Sequence, residues 1–247
     1  MLKLGLLGKN ISYSFSRSYF KEKFQKEGIN NISYENFDLE NIDLLPQLIV
    51  NTPNLKGFNI TIPYKEAVIP YLDRLNKKAK EIGAVNTVRI SKKGKLVGYN
   101  TDFYGFKKSI SPILSKKHKS ALILGTGGAS KAIAYTFKSL DIPCFYVSRN
   151  ASKHVSYTYD TLSEDIIKQH LIIVNCTPLG TFPNITNCPN IPYNGITKNH
   201  VLYDLIYNPE ETQFLKNGKE HGATISNGLR MLELQAEKAW SIWNLHK

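Results

Sequence analysis

Two short stretches carry side chains whose types and spacing could do chemistry. In "NITIPYK" (59–65), Asn59 and Thr61 alternate with Ile60 and Ile62, and Lys65 follows just past Pro63. Amide, hydroxyl and ammonium groups at one strand end suit a polar pocket that holds a small molecule and moves a proton. A solvent-facing strand would show the same alternation, and Lys65 by itself reads as a surface lysine at a helix start. In "ILGTGGAS" (123–130), Gly125, Gly127 and Gly128 stand between an apolar run and a helical pattern, with Ala129 next. Glycine there permits a tight turn and lets backbone N–H groups approach a pyrophosphate at a helix N-terminus. Ser130 takes the third glycine position, where a small residue still allows close helix–strand packing. The alternative is a glycine-rich turn without a ligand.

The second strand of such a unit should end about 20 residues on in a carboxylate if it holds the ribose 2′-OH of NAD. Here the strand ends Val147-Ser148-Arg149-Asn150, with Lys153 beyond and no carboxylate at the tip. A guanidinium stacks on adenine and bonds a 2′-phosphate, and Lys153 adds charge. This points to NADP rather than NAD, although Arg149 also suits a solvated turn.

The elements that must position these groups are legible as alternating strands and helices. Strands are predicted at 3–8, 31–40, 55–63 and, around a turn at Lys93-Gly94, across 84–100. Helical spacing runs through 14–28 with Gly28 as a stop, 43–51 and 65–82. After 102–120, a helix and a polar connection, strands are predicted at 121–124, 144–150, 171–177, 201–208 and 222–226. The end, from Leu229, is one amphipathic helix. Alternation of this kind implies an α/β fold with mostly parallel strands. Two units are expected: 1–102, with 229–247 returning to it, and a Rossmann-type unit over 103–228, hinged near 102.

More motifs then fall into order: "SYSFS" (12–16), "GAVNT" (83–87), "NTD" (100–102), "NCTPLG" (175–180), "DLIYNPEET" (204–212) and "NGLRMLELQA" (227–236). Together with the first two stretches they resemble the shikimate dehydrogenase family over nearly the whole chain. The resemblance implies NADP-dependent, reversible reduction of 3-dehydroshikimate to shikimate, in aromatic amino acid and chorismate biosynthesis. It implies that Ser14 and Ser16 bind the substrate carboxylate, that Lys65 is catalytic with Asp102 as its partner, and that Asn59 and Thr61 line the site. Asn86 and Asp102 would hold ring hydroxyls, and Tyr207 and Gln235 would touch substrate. Thr177, Leu205, Gly228 and Met231 would lie near the nicotinamide. Such amide, hydroxyl and carboxylate groups suit a polyol, whose analogues would leave buried polar groups unpaired. Alone, Ser14 and Ser16 also suit helix capping. The chain departs from the family pattern at Tyr13, usually His, at Arg17, often Pro, at Ser148 and Asn150, which flank the retained Arg149, and at Arg230, commonly small.

Composition excludes several other classes. No apolar run approaches the ~18 residues of a membrane span. The opening "MLKLGLLGKN" reads as a strand, so a cytoplasmic enzyme is expected. Three cysteines without a C-x-x-C pair argue against a disulfide framework, and no histidine spacing suggests a metal. The net charge of +12 comes with short lysine runs that no aromatics interleave. A lysine-rich surface is therefore expected rather than a nucleic-acid face. The expected partner is a small-molecule substrate, and the expected assembly a monomer or homodimer. Two rival readings are a quinate/shikimate dehydrogenase of broader choice and a non-catalytic dinucleotide-binding regulator; intact Lys65 and Asp102 oppose the second.

Overall fold

The computed structural model describes residues 1–11 and 14–243. The chain divides into two compact units, one of Met1–Thr101 together with the chain from Ala236 on, the other Asp102–Gln235.

The first unit holds a six-stranded sheet of β1 (Leu2–Gly8), β2 (Ile32–Asp38), β3 (Leu55–Ile60), β4 (Arg74–Leu75), β5 (Thr87–Ile90) and β6 (Leu96–Tyr99) in the order β2-β1-β3-β5-β6-β4. The pairs β1–β2, β1–β3 and β4–β6 are parallel, and β3–β5 and β5–β6 antiparallel. Apolar residues on both faces of β1 and β3 explain the order: Leu4, Leu7, Phe58 and Ile60 are almost wholly buried. One face packs on α2 (Leu45–Val50), α3 (Tyr64–Ala67) and α4 (Lys77–Ile82) through Leu45, Tyr64, Val68 and Ala79. The other packs on α1 (Phe15–Lys26) and the last turns of α9 (Leu229–Trp243). There Phe20 stacks on Tyr34 at 4.5 Å between ring centroids. Trp243 donates its indole N–H to Val88 O at 2.9 Å. A Cβ at Gly57 would collide with that indole, so glycine is what lets the last helix seat on β3. The return of the last helix to this unit is therefore a packed feature.

The second unit is a six-stranded, wholly parallel sheet in the order β12-β11-β10-β7-β8-β9. Its strands are β7 (Ala121–Leu124), β8 (Cys144–Ser148), β9 (Tyr157–Thr158), β10 (Ile172–Asn175), β11 (Val201–Asp204) and β12 (Thr224–Ser226), with α5 (Asp102–Ile110), α6 (Gly128–Lys138), α7 (Glu164–Gln169) and α8 (Gln213–Glu220) among them. β7, β10 and β11 are buried at every position, as central parallel strands covered on both faces must be. One core gathers Phe106, Ile133, Phe137, Tyr203 and Met231, the other Leu122, Ile173, Leu202 and Phe214.

Several segments differ from the sequence expectation. The helix predicted over 65–82 is two helices split by a 3-10 turn at Ile69–Tyr71 and the short strand β4. Pro70 opens that turn, and the Asp73 carboxylate accepts from Leu96 N–H at 2.8 Å, which draws the chain into the sheet edge. Strand β3 stops at Ile60, before Pro63. Thr61 N–H still reaches Leu7 O at 2.9 Å, and Tyr64 N–H then turns back to Thr61 O at 3.0 Å. The helices α7 and α8 had no expectation; Ser163 and Thr212 cap their first turns with side-chain oxygens.

Candidate active site

In the first unit, the polar side chain of Asn59 on β3 faces inward. Asn59 is buried at the carboxyl end of the strand, and its amide is wholly engaged. Nδ2 donates to Asn86 O at 3.1 Å and to Thr87 Oγ1 at 3.0 Å. Oδ1 accepts from the Tyr34 hydroxyl at 2.9 Å. Burial holds the Tyr34 hydroxyl far above its ordinary pKa. Asn86, also buried, accepts Thr101 N–H at 2.6 Å through Oδ1 and donates to Thr101 Oγ1 at 3.0 Å. One chain of hydrogen bonds thus joins β2, β3, the turn before β5 and the residue preceding Asp102. Unpaired amides at this depth would each cost about 1–3 kcal/mol, so the network holds its members in one arrangement.

Ser14 is the N-cap of α1, although its side chain makes no capping bond, and Ser16 is buried on the first turn. Asp38 at the end of β2 shapes the preceding loop by accepting Asn10 N–H at 2.9 Å and Ile11 N–H at 3.2 Å. Tyr13 lies outside the described residues. Thr61 and Lys65 are half-buried, Thr61 just past β3 and Lys65 on α3. Lys65 O accepts Val85 N–H at 2.7 Å, which ties its helix to the "GAVNT" turn.

In the second unit, Asp102 is buried at the first position of α5. A carboxylate there meets the positive end of the helix dipole. Gln235 is buried on α9 and Tyr207 half-buried after β11. The glycine loop joins β7 to the 11-residue helix α6, whose N-cap is Gly127. Gly125 has φ +102°, a conformation open to glycine and strained for other residues. A Cβ at Gly127 would meet nothing within 4 Å, so the loop leaves open space in front of the helix N-terminus. Gly128 and Ala129 begin that helix. Ser148 ends β8, paired with Thr158, and Arg149 and Lys153 are exposed beyond it. An open cradle of backbone N–H groups beside two cations fits a dinucleotide that carries an extra phosphate.

The loops after β10 and β11 form the other wall of this end of the sheet. Thr177 donates from N at 3.0 Å and Oγ1 at 2.7 Å to Asn175 Oδ1. Leu205 N–H reaches Asn175 O at 3.0 Å, and Gly228 N–H reaches Ile206 O at 3.0 Å. A Cβ at Gly228 would collide with Leu205 O, so only glycine permits that approach. Met231 faces the core beside Phe106 and Tyr203. Beneath these loops lies Asp204, wholly buried, its carboxyl pushed up to about 6 by burial against three hydrogen bonds that lower it.

Within each unit, then, the predicted residues cluster. Asn59 and Asn86 share one network, and Gly125, Thr177, Leu205 and Gly228 share the carboxyl edge of the parallel sheet. Sequence reasoning passed over Tyr34, Thr87 and Thr101 in the first unit, and Asn175 and Asp204 in the second. Thr87, Thr101, Asn175 and Asp204 stand inside the quoted motifs, which was their signal; Tyr34 reads as an ordinary strand aromatic. Among the described residues no group of three or more His, Cys, Asp or Glu could hold a metal ion. No described helix is long and apolar enough to cross a membrane.

Known proteins match this arrangement. The profile of the shikimate dehydrogenase substrate binding domain matches residues 6–88. A shikimate dehydrogenase (NADP(+)) of Clostridium botulinum is 40% identical, with 100% of this chain and 98% of that protein covered. The crystal structure of shikimate dehydrogenase 1 from Peptoclostridium difficile superposes with a TM-score of 0.86 at 37% identity, covering 100% of this chain and 93% of that one. A shikimate dehydrogenase solved in complex with NADP+ gives a TM-score of 0.87 at 33% identity, over 98% of this chain and 90% of that one. With that likeness running from the S-x-S segment through the glycine loop to the last helix, the chain belongs to the shikimate dehydrogenase family.

Proposed function

We propose that this chain catalyses the reversible, NADP-dependent reduction of 3-dehydroshikimate to shikimate, a step of chorismate and aromatic amino acid biosynthesis. The observation that carries this reading is the 40% identity to an NADP(+) shikimate dehydrogenase over the whole chain, because it spans the substrate motifs and the glycine loop together.

The chemistry divides between cofactor and protein. NADP, when bound, supplies or accepts the hydride. Gly125, Gly127, Gly128 and Ala129 would hold its pyrophosphate, and Ser148, Arg149 and Lys153 its adenosine phosphate. Thr177, Leu205, Gly228 and Met231 would line the nicotinamide end, with Met231 supporting from the core side. Ser14 and Ser16 bind the substrate carboxylate. Asn86, Asp102, Thr61, Tyr207 and Gln235 take the ring hydroxyls and fix the ring. Asn59 works through Asn86 and Tyr34, since both of its amide hydrogens are spent within the protein. Lys65 gives the proton to the carbonyl oxygen in reduction and takes it back in oxidation, and Asp102 steadies the ammonium and shares the transfer. Residues 1–102 with the last helix form the substrate-binding part, and 103–228 the nucleotide-binding part. The enzyme acts in the cytoplasm as a monomer or homodimer, two states that light scattering separates.

The test is absorbance at the reduced-nicotinamide band on mixing protein, shikimate and NADP+. A steady rise is expected, and a flat trace at saturating substrates rejects the activity. Quinate and NAD+ run as parallel arms measure how strictly the site chooses; comparable turnover with either would reject strict specificity.

A further inference from the structure

We propose that Asp204 is a positioning residue for the cofactor: its buried carboxylate ties the loop carrying Thr177 to the loop carrying Leu205, and so sets the wall that faces the nicotinamide. This rests on the NADP reading above.

Asp204 is the last residue of β11 and has no exposed surface. Its Oδ1 accepts Asn175 Nδ2 at 3.1 Å and Ile206 N–H at 3.0 Å, and its Oδ2 accepts the Thr212 hydroxyl at 2.6 Å. All three partners are donors. Ile206 offers a backbone N–H. Asn175 must turn its amide nitrogen to Asp204, because its Oδ1 accepts from Thr177 N and Oγ1. Thr212 Oγ1 accepts Leu215 N–H at 3.4 Å at the start of α8, which directs its proton to the carboxylate. Three donors converging on one side chain suit an acceptor-only group, and an amide in its place would turn an N–H toward a donor.

Each partner leads to the cofactor wall. Through Asn175 the carboxylate governs Thr177, whose Oγ1 in turn accepts Leu179 N–H at 3.3 Å. Through Ile206 it governs the segment in which Leu205 N–H bonds Asn175 O and Ile206 O receives Gly228 N–H. Burying a carboxylate costs several kcal/mol before compensation, and apolar residues of similar size fill such a site at lower cost. Ligands of parallel sheets sit at the carboxyl ends of the strands, where Asp204 and Asn175 both stand. A charge kept there, holding two loops that each carry a cofactor position, is explained by the geometry those loops must keep.

The experiment uses the full chain with NADP+ and shikimate as probes. Calorimetric titration gives the NADP+ dissociation constant, and steady-state rates give KM for each substrate. Asp204→Asn keeps the shape and turns one acceptor into a donor. It should weaken NADP+ binding about tenfold, while KM for shikimate stays within about twofold. Thr212→Val removes one donor from a residue outside the cofactor wall and should weaken NADP+ in the same selective way; Thr212→Ser should restore it. The Thr212 pair decides the matter if Asp204→Asn fails to fold. A wild-type chain that binds NADP+ beside variants that bind it equally well, or lose both substrates in parallel, overturns the positioning role and leaves the activity standing. A wild-type chain that does not bind NADP+ overturns the cofactor reading and this inference with it.

Discussion

Lys65 is the residue on which the proposed chemistry turns. General acid–base groups contribute about 10²–10⁴ in rate, so Lys65→Ala should lower kcat by about that factor and change KM for shikimate less. A variant with near-normal kcat in stopped-flow turnover would reject the role. Arg149 makes the second residue-level prediction. Its side chain is exposed past the end of β8. Arg149→Ala should raise KM for NADP+ about tenfold or more, leave KM for NAD+ nearly unchanged, and leave the melting temperature unaltered. Equal losses with both nucleotides would place the 2′-phosphate elsewhere. Asn59 behaves differently, because it is fully bonded to Tyr34, Asn86 and Thr87. Asn59→Ala should cost about 1–3 kcal/mol in urea unfolding, from the partners it strands.

At the scale of elements, the glycine loop separates a ligand requirement from a folding requirement. Gly127 has φ −75° and ψ 177°, which any residue adopts, and open space where a Cβ would stand. Gly127→Ala should therefore melt within a few degrees of wild type, a shift of about 1 kcal/mol or less, yet lose measurable NADP+ binding because the methyl fills the cradle. Gly228 is the contrast. An added Cβ meets the backbone of Leu205, so Gly228→Ala should lower the melting temperature as well as cofactor affinity. Equal behaviour of the two variants in differential scanning fluorimetry would refute this distinction. The elements themselves were largely legible. Apolar runs such as 121–124 and 172–174 announce central strands, and Gly28 and Gly94, at φ +66° and +72°, mark the turns expected of them. The missed β4 was not legible, since a two-residue strand has no period, and the Asp73 bond to Leu96 that holds it is non-local.

For the whole molecule, two buried histidines and one buried carboxyl respond to acid in opposite senses. Burial lowers the pKa of His118 and of His170; Lys117 and His200 lower that of His118 further, against a bond to Asn199 O that raises it. Below about pH 6.5 the unfolded chain takes up protons that the folded chain refuses. These two groups therefore withdraw stability as pH falls from about 7 toward 5. Asp204 acts in the opposite sense, because its carboxyl, raised to about 6, binds a proton in the folded state before the unfolded one does. The melting temperature of wild type should fall on acidification from pH 7 to 5. A variant with both His118→Gln and His170→Gln should lose that slope or reverse it. An unchanged slope in the double variant would assign acid sensitivity to other groups.

The sequence by itself determined the α/β alternation, the glycine loop, the cationic strand tip and the family. Each of these is written in residues that stand close together, where local periodicity and backbone freedom carry the information. Only the tertiary structure decided that Asn59 faces inward rather than to solvent, since strand alternation has two faces and the partners Tyr34 and Asn86 come from 25 and 27 residues away. The same holds for Asp204. An aspartate at a strand end reads as a surface turn until Asn175 and Thr212 close over it, and hydrogen bonds between segments leave no period in the chain.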